Sequence, residues 1–254
     1  MELAGKTALI TGGAVRVGKA ITLALARAGA NVVINYHSSQ EEVVKTAREA
    51  EALGVRALPM RADVADRAQV ETMVHEAERQ LGGVDVLVNS ASPFLKTPFP
   101  VQDEQEWERW KKVLDVLIYG SLFCANAVAP GMKQRGVGVI VNILDLVLYE
   151  PWRDFTAHAM GKTALLALTR QLALELAPGV RVNAVAPGAV LAPEYLSEER
   201  RAAIAQRNLL GRWGRAEDVA EAVVFLARSD FITGEVLVVD GGERWNRLAA
   251  DSAD

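Results

Sequence analysis

The chain has 254 residues, 50% hydrophobic and 24% charged, which is ordinary globular composition and long enough to bury a sizeable core, so whole-chain disorder is excluded. A formal net charge of -4 argues against a sequence-independent grip on nucleic acid phosphates. One cysteine, Cys124, excludes an internal disulfide framework or a multi-cysteine metal site.

Met1 to Lys6 leads straight into a strand-like run, leaving no room for a signal peptide, and no apolar run reaches the ~18 residues of a membrane span. A cytoplasmic protein is expected. Thr7 to Thr11 is the first strand, ending at Gly12-Gly13, and a helical pattern follows to Ala28, where Gly29 stops it. Val32 to Ile34 is a strand, 40–53 a helix closed by Gly54, Val55 to Met60 a strand, and Asp66 to Leu81 a helix ended by Gly82-Gly83. Val84 to Val88 is the fourth strand; Pro93 to Pro100 holds three prolines and reads as a loop. Long helices over 103–129 and 154–177 bracket the strand Val137 to Ile143, and Val180 to Val185 follows. Glu194 to Gln206 reads as a polar helix, Glu217 to Ala227 as an amphipathic one, and Val236 to Val239 as the last strand. Strands rich in β-branched residues alternating with helices predict a single doubly wound α/β domain of Rossmann type over 1–254, with about seven parallel strands covered on both faces.

Ligands of such sheets sit at the carboxyl ends of the strands, near the switch in strand order. After the first strand comes Thr11-Gly12-Gly13-Ala14-Val15-Arg16-Val17-Gly18. A glycine-rich turn opening a helix offers free N–H groups and the positive end of the dipole, which favour a pyrophosphate. The strict G-x-G-x-x-G spacing is absent, and a plain strand–helix turn is the alternative. The second strand ends in Asn35-Tyr36-His37-Ser38-Ser39, without the carboxylate that NAD-binding folds use for the ribose 2′-hydroxyl. Arg16, helped by Ser38 and Ser39, is a candidate for a 2′-phosphate, so NADP(H) is favoured; a solvated surface charge is the other reading of Arg16.

With these motifs the chain resembles the short-chain dehydrogenases/reductases over nearly its whole length. The resemblance rests on Thr11-Gly12 to Gly18, on Asp63-Val64, on Asn89-Ser90-Ala91-Ser92, on Asn183 to Pro187-Gly188, and on Ile232-Thr233-Gly234 to Gly242. Within that family, Arg16 with His37-Ser38-Ser39, Phe94 after the Asn89 motif and the stretch Pro187 to Glu194 are similar to pteridine reductases. The resemblance implies NADPH and a reduced-pterin or related substrate. It places Gly12, Arg16, Val17, Gly18, His37, Ser38, Ser39, Asp63, Val64, Asn89, Ser90, Ala91, Lys162, Pro187 and Gly188 at the cofactor. It also implies a homo-oligomer, a tetramer by the family habit, joined through the long helices and the C-terminal segment.

The family moves a hydride from nicotinamide to a carbonyl or imine while a Tyr supplies the proton. A Lys four residues later holds the ribose, a Ser orients the substrate, and an Asn holds a water. Lys162 matches, but the Tyr position is His158, the Ser position is Asp145, and the Asn position is Leu117. Asp at the Ser position fits the pteridine reductases. Three readings of His158 stand open. It is a proton donor with a pKa near neutrality, favoured by Asp145; or it is held neutral by Lys162; or the site has decayed and the protein only binds cofactor. On the substrate side Phe94 is a candidate ring stacker, Tyr149 an alternative donor, and Leu191 the start of a lid over residues 190–212. Trp107 and Trp110 read as packing or oligomer contacts. His37 and His75 lack partners at metal spacing, so no metal is expected. The functions left standing are a pterin-like imine or carbonyl reductase, a generic ketone or ketoacyl reductase, and a non-catalytic NADP(H)-binding sensor or scaffold.

Overall fold

The computed structural model describes residues 1–192 and 196–246. Seven strands pair in the order β3-β2-β1-β4-β5-β6-β7: β1 (Thr7–Ile10), β2 (Asn31–Tyr36), β3 (Ala57–Arg61), β4 (Val86–Asn89), β5 (Gly138–Ile143), β6 (Val180–Pro187) and β7 (Val236–Val239). Every pairing is parallel. The order reverses between β1 and β4, which opens a crevice above the carboxyl end of β1.

Both faces of the sheet are buried because both sides of each central strand are apolar. Ala8, Ile10, Val32, Ile34, Val86 and Val88 face α1 (Arg16–Arg27) and α8 (Ala216–Arg228), packing with Ile21, Leu25, Val223 and Leu226. Leu9, Val33, Leu87 and Ile140 point the other way, onto α3 (Arg67–Leu81) and α5 (Ser121–Arg135), among Val74, Cys124, Val128 and Met132. Burial pushes the Cys124 thiol up to about 12, so it is a core residue and not a nucleophile. The remaining helices are α2 (Gln40–Glu51), α4 (Glu104–Leu114), α6 (Thr156–Glu175) and α7 (Glu198–Ala205). Pro193, Glu194 and Tyr195, where the sequence places the start of the polar helix, lie outside the described residues; the described helix begins at Glu198.

The long helix expected to stop near residue 129 instead runs from Glu104 to Arg135 through a π turn at Asp115–Gly120 and past Pro130. Pro130 removes one helical hydrogen bond, but Val128 and Met132 on either side of it are locked in the core, and packing overrides the break. By length and composition this helical run is apolar enough to cross a membrane, contrary to the sequence expectation. It is part of the core, packed on α3, β4, β5 and α6. β6 also runs two residues beyond Val185. Pro187 pairs with Val239 of β7 past the end of β5, where its missing N–H costs no ladder bond.

Candidate active site

The first strand delivers the glycine turn to the crevice. Thr11 Oγ1 accepts from the N–H groups of Ser90 (2.9 Å) and Ala91 (3.0 Å), which draws the loop after β4 onto the turn. The approach requires glycine: Gly12 has φ 62°, and a Cβ there would stand 3.1 Å from Ala91 Cα. At Gly18 a Cβ would run into the Gly12 carbonyl. Helix α1 then opens at Arg16 with Val15 as an N-cap that supplies no side-chain hydrogen bond. Its first N–H groups are therefore left for an anion. Asn89 lies buried with its Nδ2 on Asn142 Oδ1 (2.9 Å) and its Oδ1 without a partner. A cradle that any Cβ would fill, an uncapped helix start and an orphaned amide oxygen fit a dinucleotide.

Arg16 has φ 52°, and its Nη2 donates to Leu191 O at 3.1 Å, at the root of the segment read as the lid. The cation that does stand at the end of β2 is Arg61, whose Nε donates to His37 O at 3.2 Å. Sequence reasoning missed it. Only the parallel register, which sets Tyr36 opposite Arg61, brings the two strand ends together. His37 lies 3.9 Å from Asp63 Oδ2, while Asp63 Oδ1 accepts from Ala65 N and shapes the turn after β3. Val64 is buried against Gly120. Ser39 precedes α2 without a side-chain cap bond. Pro187 and Gly188 end β6, with Gly188 N on Val239 O.

At the end of β5 three titratable side chains converge. Asp145 Oδ2 lies 2.6 Å from His158 Nε2, and Asp145 Oδ1 accepts from Val147 N at 3.1 Å. Lys162, one helical turn after His158 on α6, donates from Nζ to Ile143 O at 2.7 Å. Burial lowers the pKa of Lys162, and the negative charge of Asp145 opposes part of that shift. His158 is 1% exposed and its Nδ1 has no partner. Trp152 lies parallel to the imidazole at 6.1 Å, and Phe94 and Phe155 meet it edge-on. The ring is therefore sealed, and its open chemistry runs through Asp145, whose side chain is 16% exposed.

Phe94 stands half in solvent but stacks on Phe155 at 4.5 Å. A bridge between Thr97 and Phe155, and a hydrogen bond from Ala157 N to Thr97 Oγ1 (3.1 Å), fix that loop over the start of α6. Tyr149 is exposed beneath the Arg244 guanidinium, 5.5 Å from it. Trp110 is buried and donates to Pro98 O, whereas Trp107 is exposed. A polar chain from Asn89 through Asn142 to Thr169 Oγ1 (2.9 Å) crosses beneath the site; Asn142 and Thr169 escaped sequence reasoning because strand register joins the first to Asn89 and the packing of α6 on the sheet brings up the second.

Leu117, at the position where the resemblance expects Asn, sits in the π turn at 1% exposure against Gly161, whose Cβ would come 2.7 Å from Leu117 Cδ1. It fills a gap and binds no water. Leu117→Asn is expected to cost about 2–4 kcal/mol, from lost burial plus an amide left unpaired. Urea unfolding measures this, and an unchanged midpoint contradicts it.

A parallel sheet with a glycine turn at its switch point and a lysine facing the end of β5 defines a dinucleotide-binding oxidoreductase. The family profile described as enoyl-(acyl carrier protein) reductase matches residues 13–243. The chain is 36% identical to 3beta-hydroxysteroid dehydrogenase 1 of Eggerthella lenta over 249 residues, 95% of this chain and 94% of that one. It is also 36% identical to the 3-oxoacyl-acyl-carrier-protein reductase FabG of Thermotoga maritima over 247 residues, 95% and 99% of the two chains. Among solved structures, a blue fluorescent protein from a metagenomic library, in complex with NADPH, superposes with TM-score 0.86 at 34% identity, covering 96% of this chain and 99% of that one. A short-chain alcohol dehydrogenase from Sinorhizobium meliloti 1021 superposes with TM-score 0.88 at 32% identity, covering 95% and 97%. The chain belongs to the short-chain dehydrogenase/reductase family.

Proposed function

We propose that the protein is an NADP(H)-dependent reductase of a carbonyl or a pterin-like imine, in which Asp145 and His158 together take the place of the family's tyrosine. The observation that carries this reading is the 2.6 Å contact between Asp145 Oδ2 and His158 Nε2 beside Lys162. The bound cofactor supplies a hydride. Gly12, Gly18 and the start of α1 hold its pyrophosphate, while Arg61, Ser38 and Ser39 mark the 2′-phosphate side, where β2 ends without a carboxylate. Lys162 holds positive charge at the end of β5, where the substrate oxygen or nitrogen gains negative charge. Asp145 Oδ2 and His158 Nε2 share one proton; Asp145 delivers it to that atom, leaving a carboxylate beside a neutral imidazole, and solvent restores it at the partly exposed carboxyl. The sealed imidazole thereby acts through the carboxylate. The aromatic faces of Phe94, Phe155 and Trp152 support a flat substrate.

A ketone or ketoacyl substrate is the second reading, supported by the hydroxysteroid and 3-oxoacyl names of the relatives. NADPH and NADH consumption with dihydropteridines, cyclic ketones and 3-ketoacyl thioesters tests both. Turnover with NADPH on pterins or ketones supports the proposal and chooses the substrate. Tight NADPH binding without turnover on any of them overturns it in favour of a cofactor-binding sensor. Exposed Trp107, Tyr119, Leu122 and Met160 on the helices α4 to α6 support a homo-oligomer. Light scattering is expected to show more than one chain per particle, and a monomer rejects it.

A further inference from the structure

The lid read over residues 190–212 leaves the sheet just after Ala189 and returns near Arg207, and both roots meet one carboxylate. Glu243 lies in the short turn Glu243–Trp245 after β7, with its side chain 6% exposed. Its Oε2 accepts from Ala189 N at 3.0 Å, and its Oε1 pairs with Arg207 Nη2 at 3.1 Å. Arg207 also stands 3.7 Å from Glu150 Oε1, on the loop that continues from Asp145. Gly188 makes this approach possible, since a Cβ there would lie 2.9 Å from Glu243 Oε2.

The two roots are fixed further on either side of this carboxylate. Leu191 N donates to Gly214 O at 2.9 Å on the outgoing side. On the returning side Asn246 Nδ2 donates to Gln206 O at 3.0 Å. The turn itself does not need Glu243: Asp240 already accepts from Gly242 N (2.9 Å) and Arg244 N (3.2 Å). A buried carboxylate is costly unless paired and hydrogen-bonded, and here each of its oxygens is spent on one root of the same segment. Both roots also line a cavity of about 210 Å³ with Asp240 and Gly241, which gives them room to shift when the tie is cut.

We propose that Glu243 is a positioning residue for substrate: with Arg207 it fixes the spacing of the two lid roots and so sets substrate affinity without touching the reacting atoms. The proposal rests on the reading of this segment as the substrate lid. It is tested with Glu243→Gln, Arg207→Ala, Arg207→Lys and the double variant Glu243→Gln/Arg207→Ala, in steady-state kinetics with NADPH and by limited proteolysis. Glu243→Gln and Arg207→Ala are each expected to raise substrate KM by about 3- to 10-fold with kcat and NADPH affinity unchanged. The double variant is expected to be no worse than the worse single, because one unit is broken, and Arg207→Lys recovers part of the loss. Proteolysis reads the tie without catalysis: cleavage between residues 196 and 206 should be faster in Glu243→Gln than in the parent. If no variant, parent included, consumes NADPH, the functional reading fails, and faster cleavage still supports the tie between the roots. Unchanged KM with unchanged cleavage overturns the proposal, as do KM and kcat that worsen together in step with lost thermal stability.

Discussion

Asp145→Asn is expected to lower turnover by about 10²–10⁴-fold while leaving NADPH affinity unchanged. The amide keeps the size of the carboxyl and an oxygen for Val147 N, so the turn after β5 survives. What it loses is the proton site. Asp145 Oδ2 is the atom against His158 Nε2, and Asp145 is the member of the pair that reaches the cleft. An imidazole that is 1% exposed, with Nε2 engaged and Nδ1 closed off by Phe94, Trp152 and Phe155, has no other route to a substrate. Rapid-mixing measurement of NADPH oxidation separates this loss from weaker binding; parent-like oxidation in the variant contradicts the role assigned to Asp145.

Gly18→Ala is expected to weaken NADPH binding by about tenfold or more with the fold retained. Its Cβ would run into the Gly12 carbonyl, so the start of α1 must move away from the turn. The N–H groups that receive the pyrophosphate then no longer converge. The damage stays local because Ile21 and Leu25 anchor the rest of α1 in the core. Fluorescence titration with NADPH reads the effect, circular dichroism confirms the fold, and parent-like affinity contradicts it.

The fold was legible because its signals are local. Glycine stops at Gly29 and Gly82 and β-branched runs such as Val86 to Val88 mark the elements without reference to distant residues. The failures arose where packing outweighs a local rule. Pro130 reads as a helix breaker, yet Met132 beyond it is fully buried and carries the helix to Arg135. The π turn around Leu117 leaves no sequence mark, since its cause is the fit of Leu117 against Gly161 and of Gly120 against Val64.

The site was legible to a similar degree. Motif order placed Asp145, His158 and Lys162 together, and helical spacing alone sets His158 and Lys162 one turn apart. The direction of each side chain was not legible. That Arg16 turns to Leu191 depends on its left-handed φ, and that Arg61 reaches His37 depends on the register of β2 with β3. The burial of His158 likewise depends on an aromatic cover brought from two loops, one carrying Phe94 and the other Trp152 and Phe155. Glu243 has no sequence signal at all, because its partners Ala189 and Arg207 are distant in the chain and meet it only in the folded lid.

Asp145 and His158 are proposed to work as one proton-supplying unit. A double-variant cycle on kcat, with the parent, Asp145→Asn, His158→Phe and both together under saturating NADPH, tests it most directly. Each single variant is expected to be slow and the double variant no slower than Asp145→Asn alone, since removing the second member of a broken unit costs nothing more. Losses that multiply, or a His158→Phe variant as fast as the parent, would contradict it.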